Sequence, residues 1–190
     1  MNLDLIFSEK RLSSYRNKAE HKNNFILIKK ICDKLGLIEI VTRNKVFNVL
    51  RDNNELFILE RVAENTIIDY DDFISHQTFG FWAKIIALAR IQNQILDLSN
   101  LDFRKYSKYN RKIRFQNYYK VLIAYDLLVK IRNRAFHFEN LYKLNNGRPR
   151  ISTNRCGKII GIMPNEIENF LNDILENLEE GLSHYLESGG

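Results

Sequence analysis

Proline occurs twice in this sequence and glycine eight times, too seldom for a long linker or a low-complexity tract. Two cysteines, Cys32 and Cys156, stand far apart. They cannot make a disulfide framework, and a reduced cytoplasmic setting is the expectation. The four histidines, His21, His76, His137 and His184, have no metal-ligand spacing, so neither a metal site nor a cofactor is expected. No glycine-rich phosphate loop is present. The opening MNLDLIFSEKR lacks a basic stretch followed by an apolar run, so no signal peptide is expected. Charge interrupts every apolar stretch well before the eighteen or so residues of a membrane span.

What is there is ordinary for a globular protein: 45% hydrophobic and 27% charged residues in a chain of 190. That length suits one domain with its own core, over residues 1–187, with residues 188–190 expected to be a disordered tail. The net charge is a modest +6, but it is sorted along the chain. Seven basic residues and no acid lie between Arg104 and Lys120, and five and none between Leu141 and Met163. From Pro164 onward there are seven acids and no Lys or Arg. The basic segments suit a polyanion, since phosphate contacts release counterions and steer association. The competing reading is a solvated surface facing the acidic C-terminal helix of the same molecule.

Periodicity predicts an all-α fold, a helical bundle carrying a small β-hairpin or irregular insert. A short helix is expected over residues 5–20 with Ser8 as N-cap. A second runs over 22–35 and stops at Gly36, and a third covers 37–52. Residues 53–72 read as a hairpin or irregular loop. Asp71 or Asp72 caps a long helix to about Leu98, with close packing or a break near Gly80. The central helix runs from about Arg111 to Phe138, with apolar residues such as Ile113, Leu122, Leu127 and Ile131 around most of its circumference. Asn145-Asn146-Gly147-Arg148-Pro149 is turn chemistry. Residues 150–152 and 159–162 can pair as a small hairpin across Asn154-Arg155-Cys156-Gly157, and Pro164 opens a last helix with one apolar face. Tyr118 and Tyr119 are expected in the core. Tyr106 and Tyr109 are left open between core packing and stacking on unpaired bases.

The chemistry concentrates at the end of the central helix, Ile131-Arg132-Asn133-Arg134-Ala135-Phe136-His137-Phe138-Glu139-Asn140. On a helix Asn133 and His137 are four apart and share a face, and the long Arg132 side chain reaches across one turn. An amide can orient an imidazole, an imidazole can move a proton, and a guanidinium can grip a phosphate bidentately. The bland alternative is a histidine that merely satisfies the last helical carbonyls. Residues 42–48 loosely echo 131–137, which would set Arg43 and Asn44 beside the motif.

The pattern Arg132-Asn133-x-x-x-His137-Phe138-Glu139 resembles the signature of the HEPN superfamily, in its abortive-infection (Abi-like) branch. Arg11-Leu12-x-x-Tyr15, Glu39-Ile40-Val41-x-Arg43-Asn44 and Phe79-Gly80-Phe81-Trp82 are similar to further landmarks of that branch, in the same order. The resemblance implies an all-helical HEPN fold and a homodimer whose two motifs share one cleft. It also implies a metal-independent endoribonuclease acting as a toxin in bacterial phage defence, restrained by an RNA or protein antitoxin. His137 would then transfer the proton, Arg132 hold the phosphate and Asn133 orient the imidazole. Arg134, Arg43, Asn44 and the segment carrying Arg104, Lys105, Lys108, Arg111, Lys112 and Arg114 are the expected RNA contacts. Members of that branch often carry His-His-Glu where this chain has His137-Phe138-Glu139, which leaves the role of Glu139 open. A non-catalytic RNA-binding module and a purely structural partner of another protein are the competing functions.

Overall fold

The structure is a computed structural model describing residues 6–64, 66–112 and 114–185. The tail at 188–190 and the contribution of Ile113 to the central helix lie outside the described residues. The protein is mostly helical, with two small two-stranded antiparallel sheets toward the C-terminal end. Among the described residues no helix is long and apolar enough to cross a membrane.

Ser8 caps α1 (Glu9–Leu12) as expected, accepting from the Arg11 N–H at 3.4 Å, but α1 ends at Leu12. Asn17 then caps α2 (Lys18–Asp52), accepting from Glu20 N–H at 2.8 Å. The predicted stop at Gly36 is overturned, because α2 is one helix of 35 residues. Its buried stripe, Leu27, Ile28, Ile31, Leu35, Ile38, Thr42, Val46 and Leu50, keeps helical phase straight through the glycine. Burial of a continuous stripe outweighs the ~1 kcal/mol cost of one interior glycine.

Residues 53–72 are no hairpin; they contain α3 (Phe57–Ala63) and the start of α4 (Tyr70–His76). Leu59 is the buried anchor of α3, and the cap of α4 is Asp69, not Asp71 or Asp72. The expected long helix is three helices: α4, α5 (Phe79–Ala89) and α6 (Gln92–Ile95). Thr78 caps α5, so the break falls just before Gly80, and Arg90 leaves α5 in left-handed conformation at φ 58°. A Cβ on Gly80 would lie 3.9 Å from Val129 Cγ1, in ordinary contact with the central helix.

A 3₁₀ turn (Phe103–Tyr106) precedes α7 (Asn117–Phe136), the central helix. It starts later than the sequence suggested, at Asn117, whose side chain accepts from Leu98 N–H at 2.7 Å, and the loop before it is anchored by Asn110. Its amide donates to the carbonyls of Phe103 (2.7 Å) and Gly161 (2.8 Å) and accepts from the Gly161 N–H at 2.9 Å. Two hairpins follow, β1 (Leu144–Asn145) with β2 (Arg148–Pro149) and β3 (Ser152–Arg155) with β4 (Lys158–Gly161). Asn146-Gly147 and Cys156-Gly157 all have positive φ, the two-residue turn that matches strand twist. The second hairpin docks on α7 through Asp126, which accepts from Thr153 Oγ1 and Arg155 Nε, each at 2.9 Å. Pro164–Glu166 leads into α8 (Ile167–Leu178), whose expected apolar face is buried.

One hydrophobic cluster joins these elements, with Trp82, Tyr125, Phe79, Phe170 and Tyr106 among its largest side chains. Tyr106 is thus a core residue; its O–H donates to Asp173, and burial with that carboxylate pushes the phenol far above its ordinary pKa. Tyr118 and Tyr119 are half-buried and stacked on each other.

Candidate active site

Helix α7 presents Ile131 and Ala135 to the core and turns Asn133, Phe136 and His137 to solvent. The helix closes by its own backbone. Phe138 N–H donates to Ala135 O at 3.0 Å and Glu139 N–H to Arg134 O at 2.8 Å, the double bond of a Schellman cap. The His137 side chain takes no part in this cap. It is exposed, with no hydrogen-bond partner among the described residues. The left-handed residue of the cap is Phe138, at φ 51°, where glycine is usual. A bulky side chain there costs on the order of 1–2 kcal/mol.

Two buried asparagines hold that corner. Asn24 of α2 donates to Glu139 O (3.1 Å) and to Tyr15 Oη (3.1 Å), and its Oδ1 accepts from Leu141 N–H at 2.8 Å. Asn140 donates to Ser14 O at 2.6 Å and accepts from Tyr142 N–H at 2.8 Å. The Phe138 ring leans on Phe25 at 5.7 Å. Beneath Phe25 lies His21, ringed by Phe7, Tyr15 and Phe25 with centroids at 4.8, 4.7 and 5.2 Å.

His21 is buried and its Nε2 has no hydrogen-bond partner among the described residues. Burial, helped by Arg11, holds its pKa below the ordinary 6.5. The unfolded imidazole therefore binds a proton that the folded one refuses. Stability is complete above pH 6.5 and falls as pH drops from there toward the folded value. Urea midpoints should decline between about pH 7.5 and about pH 5, and H21F should flatten that decline. Equal slopes in the two proteins would remove His21 as the cause.

Arg132 donates through Nε to Glu39 Oε2 of α2 at 3.1 Å, and its guanidinium lies 4.7 Å from the Phe136 ring. Its terminal nitrogens have no protein acceptor among the described residues. Asn133 and His137 share the exposed face but are not hydrogen-bonded to each other. Among the described residues no hydrogen bond or ion pair joins Arg43 or Asn44 to the motif: Asn44 is exposed, the Arg43 Nε is buried without a partner, and the bond from α2 to Arg132 comes one turn earlier, from Glu39. Arg134 is also not a free cation: its Nη1 donates to Glu139 at 2.5 Å, and Arg150 shares the same carboxylate at 3.2 Å. Burial and then Arg150 lower the Arg134 pKa. The open role of Glu139 is thus at least to join two guanidiniums.

The basic segment divides. Arg104 is chelated by Asp102, whose carboxyl is drawn down to about 2, and Lys105 is paired with Asp173 of α8 at 2.6 Å. Lys108, Arg111, Lys112 and Arg114 are exposed with no carboxylate partner among the described residues. The acidic C-terminal helix does engage lysines inside the molecule, Glu168 facing Lys30 and Lys34.

A cleft of about 390 Å³ opens beside the motif's exit, lined by Phe138, Glu139 and Asn140 together with Lys10, Arg11, Lys143 and Arg150. None of these four cations was singled out from the sequence as an RNA contact. The acid-free run from Leu141 to Met163, which contains Lys143 and Arg150, was the available signal. Comparison with protein-family models, curated proteins and solved structures finds no match.

Proposed function

We propose that this chain is a metal-independent endoribonuclease with a HEPN-type bundle of the abortive-infection kind, a homodimeric toxin of bacterial phage defence. The observation that carries the reading is the exposed, unpartnered imidazole of His137 on a rigidly held helix end, bordered by a basic cleft. In the reaction the ribose 2′-oxygen bonds to phosphorus and the bond to the 5′-oxygen breaks. The imidazole transfers a proton at one of these oxygens. The terminal nitrogens of Arg132 face the charge that builds on the phosphoryl oxygens, while Glu39 and Phe136 aim the guanidinium. Lys10, Arg11 and Lys143, which have no carboxylate partner among the described residues, hold neighbouring phosphates. Phe136 and Phe138, 45% and 44% exposed, flank His137 and form the apolar surface that a second copy would cover.

The pairing of Arg132 with Glu39 favours a second reading, a non-catalytic RNA-binding module in which the motif is structural. The deciding experiment is cleavage of single-stranded RNA by the purified chain and by H137A, in the presence of a chelator. Products ending in 2′,3′-cyclic phosphate from the first protein only are the expected result. RNA retained and never cut would establish the second reading.

A further inference from the structure

A second basic concavity, of about 430 Å³, lies away from the motif's own residues, where the loop after the 3₁₀ turn meets both hairpins. Lys108 and Arg111 come from the loop, Arg148 from β2 and Lys158 from β4. All four are exposed, and none has a carboxylate partner among the described residues. No acid lines the concavity. This distinguishes them from Arg104, Lys105 and Arg155, each of which is neutralised by an aspartate.

Two of the four cations, Lys108 and Arg148, lie against an aromatic ring that lines the same concavity. Tyr109 is 40% exposed, with Lys108 Nζ 5.4 Å and the Arg148 guanidinium 5.9 Å from its centroid. Its setting is rigid. Asn110, the next residue, is buried and spans Phe103 and Gly161 with three hydrogen bonds. Gly161 is packed so closely that an added Cβ would lie 2.4 Å from Pro149 Cγ. Gly147, in the turn beside Arg148, leaves just enough room for the Tyr109 hydroxyl, which a Cβ there would meet at 3.4 Å.

We infer that this concavity is a second binding site, which takes one stacked base and the flanking phosphates of a single-stranded RNA. A part-exposed aromatic ring beside cations that carry no carboxylate partner among the described residues is what a single strand needs: the ring stacks on a base once Lys108 and Arg148 turn from it to the phosphates, and the cations follow the backbone. A duplex offers no free base face, and an acidic peptide offers charge but nothing planar to stack. That the strand is RNA rests on the proposed ribonuclease reading; the location of the site and its single-strand preference do not.

The test uses the full chain carrying H137A, so that binding is measured without cleavage, and a fluorescent oligouridylate of about twelve nucleotides, long enough for one such site. Y109A should weaken binding about tenfold with the salt dependence unchanged, because stacking carries no charge. R148Q with K158Q should weaken it more and lower the salt slope by about 1.4, two phosphate contacts of a single strand at ~0.7 each. All three positions are exposed, and unchanged unfolding midpoints verify that the variants fold. Unaltered affinity in both variants would overturn the site. Equal binding of duplex RNA, or displacement by polyglutamate as readily as by oligouridylate, would overturn the single-strand assignment. Tighter binding of oligothymidylate would overturn RNA as the strand. Loss of RNA cleavage activity in the parent chain, with these binding effects intact, would refute the ribonuclease alone.

Discussion

Replacing His137 by alanine should lower RNA cleavage by about 10²- to 10⁴-fold, the range of a positioned proton-transfer group, while leaving the fold intact. The reason for both halves is local. The backbone of residue 137 belongs to the helix cap, but the cap's bonds run between peptide groups and do not use the imidazole. The side chain is exposed and bonded to no described residue, so truncation should change stability by no more than about 0.5 kcal/mol. Arg132 is a different case. R132A removes the contact with Glu39 and the packing on Phe136, so its loss of activity would be mixed with a loss of stability. R132K keeps a charge but not the planar fork. It should retain the protein's unfolding midpoint better than its rate. The measurement is single-turnover cleavage of a labelled RNA, alongside chemical denaturation of each variant. An H137A protein that cuts at the parental rate after purification from host nucleases would eliminate the histidine as the proton-transfer group.

N24A should destabilise the protein by about 2–4 kcal/mol, since it leaves the Leu141 N–H and the Glu139 carbonyl without partners, at roughly 1–3 kcal/mol each. The effect is large because Asn24 has no exposure at all, and no water can replace the lost amide cheaply. N24D should be no rescue, because a carboxylate has no N–H to give to Glu139 O. N44A is the matched control: it lies on the same helix, is exposed, and should leave the midpoint where it was. An N24A midpoint within error of the parent would mean that the corner at 138–141 is held by something other than this clamp.

The helical class and the hairpin turns were legible in the sequence, because each is written in local chemistry. The last helix has an unbroken apolar stripe, and both hairpins carry a two-residue turn ending in glycine. The boundaries were less legible where tertiary contact decides. Gly36 reads as a stop, yet the stripe on either side shares one phase and one partner surface. Residues 57–63 read as hairpin or irregular loop, yet Leu59 finds a core position that favours helix, and the helix expected after Asp71 or Asp72 starts slightly earlier, at Tyr70. Of the motif, the shared face of Asn133 and His137 follows from helical spacing alone, whereas its exposure to solvent does not. The engagement of Arg134 by Glu139 and of Arg132 by Glu39 does not, since the second partner is 93 residues away. The grouping of Lys10 with Lys143 and Arg150 was equally hidden, because only the folded chain brings them together.

Helix α2 grips the far end of α7 at two places, Asn24 at the exit loop and Glu39 at Arg132. Both grips sit on one uninterrupted rod, so their separation is set by residue count and their bearing by helical pitch. A single residue inserted between them would swing one grip about 100° away from the other, and no adjustment of side chains could restore both. Between Asn24 and Glu39 the helix therefore has a fixed length: a residue gained or lost there releases one of the two grips, whatever its side chain.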